Sequence, residues 1–526
     1  MSVDRRKIDK LFDVPPRKKL PGYAVGIMQD GEIVHANEYG VADLEHGAPI
    51  TSDTVFHVAS LSKQFTAAAV LMLEEAGKLA LDDLVTRHVD GLPDCARQIT
   101  LRHLLHHTSG LRDQWPLLRL AGWRDMDEKT EEDVLDLVRR QKRLNFPPGE
   151  NFAYCNTGYT LLAGVVRRRS TDSLRKYTDE NIFKPLRMTT THFRDDHTKV
   201  LPGRAFGYTD AGAGEFGFWV PNFDLVGPTS LHTTVKDLLQ WARTLLAPSG
   251  VFVPVVKGLL TPGTLNDGRR LGYGAGVGLG RHRGLEIVRH SGWDLGYVSH
   301  LAVYPTERFA VAILGNLFPL APALKAREVA EICLDGRFRE DPATPVRLPA
   351  HELTEKEGVY RHRVNHRVQW VTRSGDGLFL SFERPSRSSR GSQLDPLAPG
   401  RFLGADKMTE AAFDGTTMTI RGEFGTDEQF DRVAPSDPSA TALAAYSGTY
   451  RSLELGTTLT VLLDRDNGFV VTQHRGPRRP LVPAYEDAFT DDNKATYIFS
   501  RDGAGEVDGL TFAQERVHHL RFDRVS

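Results

Sequence analysis

The stretch FHVASLSKQFTAAAVLMLEEAG, residues 56–77, decides how the chain is read. It holds Ser60-Leu61-Ser62-Lys63 at the head of a helical pattern that is apolar nearly all round, through Leu61, Phe65, Ala68, Ala69, Met72, Leu73 and Ala76. A helix of that kind is buried in a protein core. Ser60 and Lys63 are one turn apart and share a face. A serine hydroxyl is a weak nucleophile and needs a base within hydrogen-bond reach. A lysine desolvated in such a helix has its pKa lowered towards that task. The helix N-terminus adds partial positive charge and a free N–H beside a developing oxyanion. S-x-x-K also arises by chance in any long chain, so its weight depends on its company. Ser62 is a rival by composition but lacks the one-turn relation to Lys63.

Two further elements keep it company. FPPGENFAYCNTGYTLLAGVV, residues 146–166, places Tyr154-Cys155-Asn156 just before an apolar helix. A phenol near an ammonium ionises more readily and can shuttle a proton, and an Asn two residues on can face the same cleft and bind a substrate amide. His290-Ser291-Gly292 ends a strand-like run. Gly292 permits close approach at the strand edge, and the backbone N–H of Trp293 is then a natural second oxyanion donor. The order S-x-x-K, Y-x-N, H-x-G is far more specific than any one part.

Around these motifs the chain divides. Its 526 residues are too many for one ordinary core. With 40% hydrophobic and 25% charged residues it is neither disordered nor fibrous. Lys+Arg of 66 against Asp+Glu of 68 argues against a nucleic-acid partner. No apolar run reaches membrane-span length, and the N-terminal residues show no secretory signal pattern. Cys95, Cys155 and Cys333 are odd in number and widely spaced, which fits a reducing compartment with neither disulfides nor a zinc site. The cytoplasm is the expected location.

Sheet strands are expected from both ends of the first segment, at 23–40 and 285–316, with helices between. Pro-rich stretches at 341–345 and 434–439 mark linkers. The two segments beyond them look like copies. Gly358-Val359-Tyr360 and Gly448-Thr449-Tyr450 open them, Asp376-Gly377 and Asn467-Gly468 supply hairpin signals, and Phe-Asp-Arg-Val closes both, at 430–433 and 522–525. Each reads as a small antiparallel barrel or sandwich that folds on its own.

Taken together, the motifs resemble the serine β-lactamase and penicillin-binding-protein-like hydrolases, over about residues 20–320. Y-x-N as the second motif places the likeness in the branch of class C β-lactamases, esterases and D-aminopeptidases. TLRHLLHHTSGLRDQW at 100–115, GPTSLHTTVKDLLQWA at 227–242 and YGAGVGLG at 273–280 add to it. The two appended β segments make the architecture most similar to the bacterial D-aminopeptidases, in which a loop of the last barrel enters the active site. The resemblance implies an α+β fold: a β-lactamase-like catalytic domain, an antiparallel sheet flanked by helices, at 1–338. Two antiparallel β-barrel-like domains follow at 339–436 and 437–526. It implies Ser60 as nucleophile, Lys63 as its base partner and Tyr154 as general base and acid. Asn156, His290, Gly292 and Trp293 would bind substrate. No cofactor and no metal are expected. The partner would be a small-molecule or peptide substrate, and a homo-oligomer is left open. The activity implied is hydrolysis of amide or peptide bonds through an acyl-enzyme, with carboxylesterase or β-lactamase-like activity and a non-catalytic binding protein as alternatives.

Two departures bear on the substrate. His290 stands where β-lactamases and transpeptidases carry a lysine, and histidine is mostly neutral at pH 7. That favours substrates with no carboxylate beside the scissile bond. The expected intruding loop, His474-Arg475-Gly476-Pro477-Arg478-Arg479, is basic and would repel an ammonium. Asp113 and Asp294 are candidates for a compensating carboxylate. Other motifs read more simply. His103, His106 and His107 are helically spaced but lack a carboxylate partner. Gly274, Gly276, Gly278 and Gly280 suit a segment crowded by another backbone better than a nucleotide loop. Cys155 reads as packing.

Overall fold

The computed structural model describes residues 4–12, 20–382, 384, 391–422, 424, 426–464 and 468–525. Its first part is a six-stranded antiparallel sheet of β1 (Tyr23–Gln29), β2 (Glu32–Tyr39), β3 (Gly278–His282), β4 (Leu285–Asp294), β5 (Tyr297–Tyr304) and β6 (Phe309–Gly315). They lie in the order β3-β4-β5-β6-β1-β2, so both ends of the segment build one sheet, as expected from the sequence. The period-2 alternation of strands sorts the side chains between two cores. Leu301, Val303, Ala310, Ala312 and Leu314 face the helices Ser62–Glu75 and Val235–Leu246. Ala302, Tyr304, Val311 and Ile313 face the opposite way, onto Ile8, Ala326, Val329 and Ala330 of the helices Arg5–Leu11 and Pro322–Cys333. A strand covered on both sides has no polar face, and all of β5 is buried.

Helix Ser62–Glu75 is buried from Ser62 to Leu71, the all-round apolar character seen in its sequence. Among the described residues no helix is long and apolar enough to cross a membrane.

The two copies close differently. Residues 358–433 form a closed eight-stranded antiparallel barrel. Residues 448–524 form a nine-stranded sheet whose end strands, Arg479–Pro480 and Val482–Tyr485, are separated only by Leu481, so it is nearly closed. Gly377 pairs with Ser374 at the first hairpin signal, and Gly468 pairs with Asp464 at the second; Asn467 itself lies outside the described residues.

The last copy is less separable than its linker predicted. Leu117, Leu118, Leu120, Val134, Leu137 and Val138 from the first segment share one core with Leu459, Phe469, Phe489 and Phe512. At its edge the fully buried Arg112 guanidinium donates to Gln141 Oε1 at 2.6 Å and to Glu454 Oε2 at 2.7 Å, and also to the carbonyls of His518 and His519. Buried charge needs such complete pairing, and here it is obtained only with the last copy docked.

Candidate active site

Ser60 lies in a short 3-10 turn, Ala59–Leu61, that runs into helix Ser62–Glu75. Ala59 takes a left-handed conformation, φ 47°, unfavourable for a residue with a Cβ. Strand β4 presses on this turn. A methyl group at Gly292 would lie 2.2 Å from the Val58 carbonyl and 2.3 Å from Ser299 Oγ, which itself donates to that carbonyl. The need for glycine therefore comes from the protein's own Ser60 turn meeting the strand, where the sequence had suggested room for substrate.

Ser60 is partly exposed, whereas Ser62 is wholly buried. Ser62 Oγ donates to the Ala59 carbonyl at 2.5 Å and accepts from Leu231 N at 3.0 Å, so it is spent on holding the turn. Lys63 Nζ stands 2.9 Å from Ser60 Oγ, 2.8 Å from Asn156 Oδ1 and 2.8 Å from the Pro228 carbonyl. The orientation of the Asn156 amide is fixed from behind. Its Nδ2 donates to Asp113 Oδ2 at 2.8 Å, so Oδ1 must face the lysine. Both ends of this amide are engaged within the protein. Asp113, buried, also accepts from the backbone N–H groups of Asn156 and Trp115, the latter as N-cap of helix Gln114–Leu120.

This arrangement dictates where a proton can go. Burial pushes the Lys63 pKa well down, against the opposing charge of Asp113 and with help from the Arg516 cation. A neutral amine has two N–H donors and one lone pair. The Asn156 and Pro228 oxygens can only accept, so both donors go to them. The lone pair is left facing the Ser60 hydroxyl, the one partner able to donate.

Tyr154 closes the site. Lys63 Nζ lies 4.8 Å from its ring centroid, and the His107 ring packs against it at a tilt, 4.3 Å between centroids. Behind it runs a chain of hydrogen bonds whose direction is determined. Cys155 N–H donates to His107 Nδ1 at 3.0 Å, so the other nitrogen, Nε2, carries the proton and donates to Tyr273 Oη at 3.3 Å. The Tyr273 hydroxyl then donates to His290 Nε2 at 3.0 Å, and His290 Nδ1–H donates to the Ser291 carbonyl at 2.6 Å. Both imidazoles are neutral in this chain. Burial depresses His107 well below its ordinary value and His290 to about 3, and Lys63, when protonated, acts in the same direction on both. His290 is thus close to Tyr154, at 6.1 Å between rings, but buried and engaged at both nitrogens.

Other residues singled out in the sequence fall into place. Trp293 sits on β4, its exposed indole against Phe318 and Trp219, at ring distances of 5.1 and 6.4 Å. Asp294 Oδ2 accepts from Thr229 Oγ1 at 2.7 Å and lies 3.3 Å from His57 Nε2. His103 caps helix Leu101–Leu105 together with Thr100. Gly274 and Gly276 abut the carbonyls of Leu259 and Lys63, the backbone crowding expected of them. Cys155 is buried, which pushes its thiol up to about 12, far from nucleophilic.

The expected intruding loop is not the one that reaches the site. Segment 474–479 is held at the end of helix Gln114–Leu120, where Gln473 Nε2 donates to the Arg119 carbonyl at 2.7 Å. Two of its three arginines are used at home, Arg478 on Asp464 and Arg479 on the buried Asp491. The turn between the last two strands, Val507–Gln514 and Val517–Arg524, enters instead. It sets the Arg516 guanidinium 4.8 Å from the Tyr154 ring centroid. Asp113 N–H and Asn145 Nδ2 both donate to the Arg516 carbonyl, at 3.1 and 3.0 Å, and pin the turn in place. Sequence reasoning missed Arg516, because an isolated Glu-Arg in a hairpin turn looks like any solvated turn. It also missed Tyr273 and His107 as partners of His290.

Comparison with known proteins agrees with this architecture. The Beta-lactamase family model matches residues 6–334. A D-aminopeptidase of Cereibacter sphaeroides is 28% identical over 499 residues, covering 93% of this chain and 91% of the relative. A D-aminopeptidase of Brucella anthropi is 29% identical over 533 residues, covering 97% of each. Among solved structures, the octameric penicillin-binding protein homologue from Pyrococcus abyssi superposes with a TM-score of 0.57 at 23% identity, covering 81% of this chain and all of the other. The chain belongs to the Beta-lactamase family and is a hydrolase of the serine acyl-transfer type.

Proposed function

We propose that the chain is an amidohydrolase that cleaves aminoacyl or peptide amide bonds through an ester on Ser60, a reading in keeping with its D-aminopeptidase-named relatives. The observation that carries it is Lys63 Nζ at 2.9 Å from Ser60 Oγ with two acceptor-only oxygens at its other positions, which in the neutral amine directs the lone pair at Ser60. Ser60 Oγ gives its proton to Lys63 and attacks the carbonyl carbon, forming the C–O bond. The proton passes by way of Tyr154 to the leaving nitrogen as the C–N bond breaks and the amine departs. Water then attacks the ester, losing its proton to the Lys63–Tyr154 pair, and Ser60 is regenerated with that proton. The backbone N–H groups of Ser60 and Trp293 are the oxyanion donors in this scheme. Asn156 and Asp113 orient Lys63, and neutral His107 and His290 hold Tyr154 without adding charge.

Intact-protein mass spectrometry after a fluorophosphonate tests the reading. One adduct, mapped to Ser60 and absent in Ser60→Ala, is expected; an adduct on Ser62 or none at all would overturn it. Kinetics on alanine p-nitroanilides of both chiralities and on a short p-nitrophenyl ester then rank amide against ester cleavage. Strong preference for the ester over both anilides would replace the amidase reading by a carboxylesterase.

A further inference from the structure

His290 is neutral, and every hydrogen-bonding position of Lys63 is occupied. Neither motif residue therefore offers a free cation to a substrate carboxylate. Arg516 alters that. Its guanidinium lies over Tyr154, and among the described residues it has no side-chain hydrogen bond and no ion pair. Glu515 and Asp113 are near enough to hold its charge, but neither forms a salt bridge with it. The backbone beneath it is anchored. Besides the two bonds to its carbonyl, Asn145 Oδ1 accepts from His518 N at 2.8 Å, two residues on. The result is a positioned, half-buried cation whose side-chain donors are unused among the described residues, brought to the candidate active site by a different part of the chain.

We infer that Arg516 is a specificity-determining residue that selects substrates whose leaving amine carries a carboxylate, that is, peptides with a single residue after the scissile bond. This rests on the Ser60 acyl-transfer reading above. Tyr154 returns the proton to the leaving nitrogen, so that nitrogen sits at the phenol. In an amino-acid leaving group the α-carboxylate is two bonds from the nitrogen, within reach of a guanidinium 4.8 Å from the ring centroid. The planar fork of arginine matches a carboxylate bidentately. In a half-buried site such a charge-assisted pair is weakened little by solvent.

The test uses pairs that differ only in the carboxylate: D-alanyl-D-alanine and L-alanyl-L-alanine, each against its C-terminal amide. Two quantities are read: relative kcat/KM, and relative protection of Ser60 from fluorophosphonate, which reports binding even without turnover. The free acid of the preferred chirality should win by about 10- to 100-fold. Arg516→Met should bring the ratio close to one, and Arg516→Lys should keep part of it. Equal or reversed preference in the wild type overturns the inference. So does an unchanged ratio in Arg516→Met, provided that variant is still phosphonylated at Ser60 and gives an unaltered circular dichroism spectrum. If that variant misfolds, Arg516→Lys and the wild-type ratio decide. Absence of any Ser60 adduct in the wild type would instead sink the acyl-transfer reading on which the inference stands.

Discussion

The last hairpins of the two β copies make an instructive pair. The closing Phe-Asp-Arg-Val runs, at 430–433 and 522–525, are offset by 92 residues, the separation of Phe424 from Arg516, so these two occupy equivalent positions in the repeat. Both reach the first segment. Phe424 packs edge-on against Tyr273, at 4.9 Å between rings, and 5.6 Å from Phe152. Arg516 lies over Tyr154. One copy thus supports the hydrogen-bonded chain behind the site with an apolar ring, and the other brings a charge into the site itself. The same hairpin on the same kind of barrel does either job according to the residue at its tip. Fold similarity between the copies therefore says nothing about shared function.

The largest expected effect follows from how unequally the copies are attached. Ending the chain near residue 338 removes the apolar partners of Leu117, Leu118, Val134 and Val138 and leaves the Arg112 guanidinium buried without Glu454. The truncated protein should aggregate, read as loss of a monodisperse peak on size exclusion. A soluble and active fragment would show that the last copy is merely tethered. Next in size is the ion pair at that junction. Arg112→Ala leaves Glu454 uncompensated, a change that costs about 3–5 kcal/mol when a buried pair is broken from one side. Denaturant unfolding should show it, and adding Glu454→Gln should recover a large part.

The outline of the fold was readable because the patterns that specify it are local. Alternation at 285–316, an all-round apolar helix at 62–75 and repeated hairpin signals sufficed for the sheet and both copies. Ser60, Lys63, Tyr154 and Asn156 were readable as well, since each lies at the start of a helix and its partner is one turn or two residues away. What was hidden depends on docking. Nothing local at Glu515-Arg516 distinguishes it from Arg478-Arg479, yet Arg516 reaches Tyr154 and Arg478 pairs with Asp464. His290 could be found by its motif and read as mostly neutral, but its burial and its bond to Tyr273 depend on docking. The repeat offset was the one sequence signal able to point to Arg516, and only once Phe424 had been seen at the site.

A third prediction separates the hairpins by charge. On the proposed mechanism activity needs neutral Lys63, so kcat/KM should rise with pH through a lysine pKa held below its ordinary value of 10.5. Arg516 is among the groups lowering that pKa, whereas Asp113 and Asp294 raise it. Removing the cation in Arg516→Met lets the Lys63 pKa rise, so the acid limb of the profile should move to higher pH. Phe424→Leu, with no charge to lose, should leave the limb in place. A shift in both variants, or in neither, would break the distinction between the copies.

The smallest effect belongs to Phe424. Its ring is partly buried between Phe152, Tyr273 and Gly278. Truncation to alanine removes part of a buried aromatic surface, for a loss of about 1–2 kcal/mol, below the value for a fully buried ring. Tyr273 would keep its bonds to His107 and His290 but lose the wall that fixes its ring plane. On the proposed mechanism the consequence for catalysis passes through Tyr154, whose ring neighbour His107 is held by the same chain. A drop in kcat of about threefold with little change in KM is therefore expected, because displacement behind the proton-transfer group affects the reacting geometry more than substrate capture. Phe424→Leu should restore most of it by refilling the space. The ratio of free acid to amide substrate should not move in either variant. If it fell in Phe424→Ala as far as in Arg516→Met, selection would depend on the shape of the whole cleft, and the division of labour between the two hairpins would not stand.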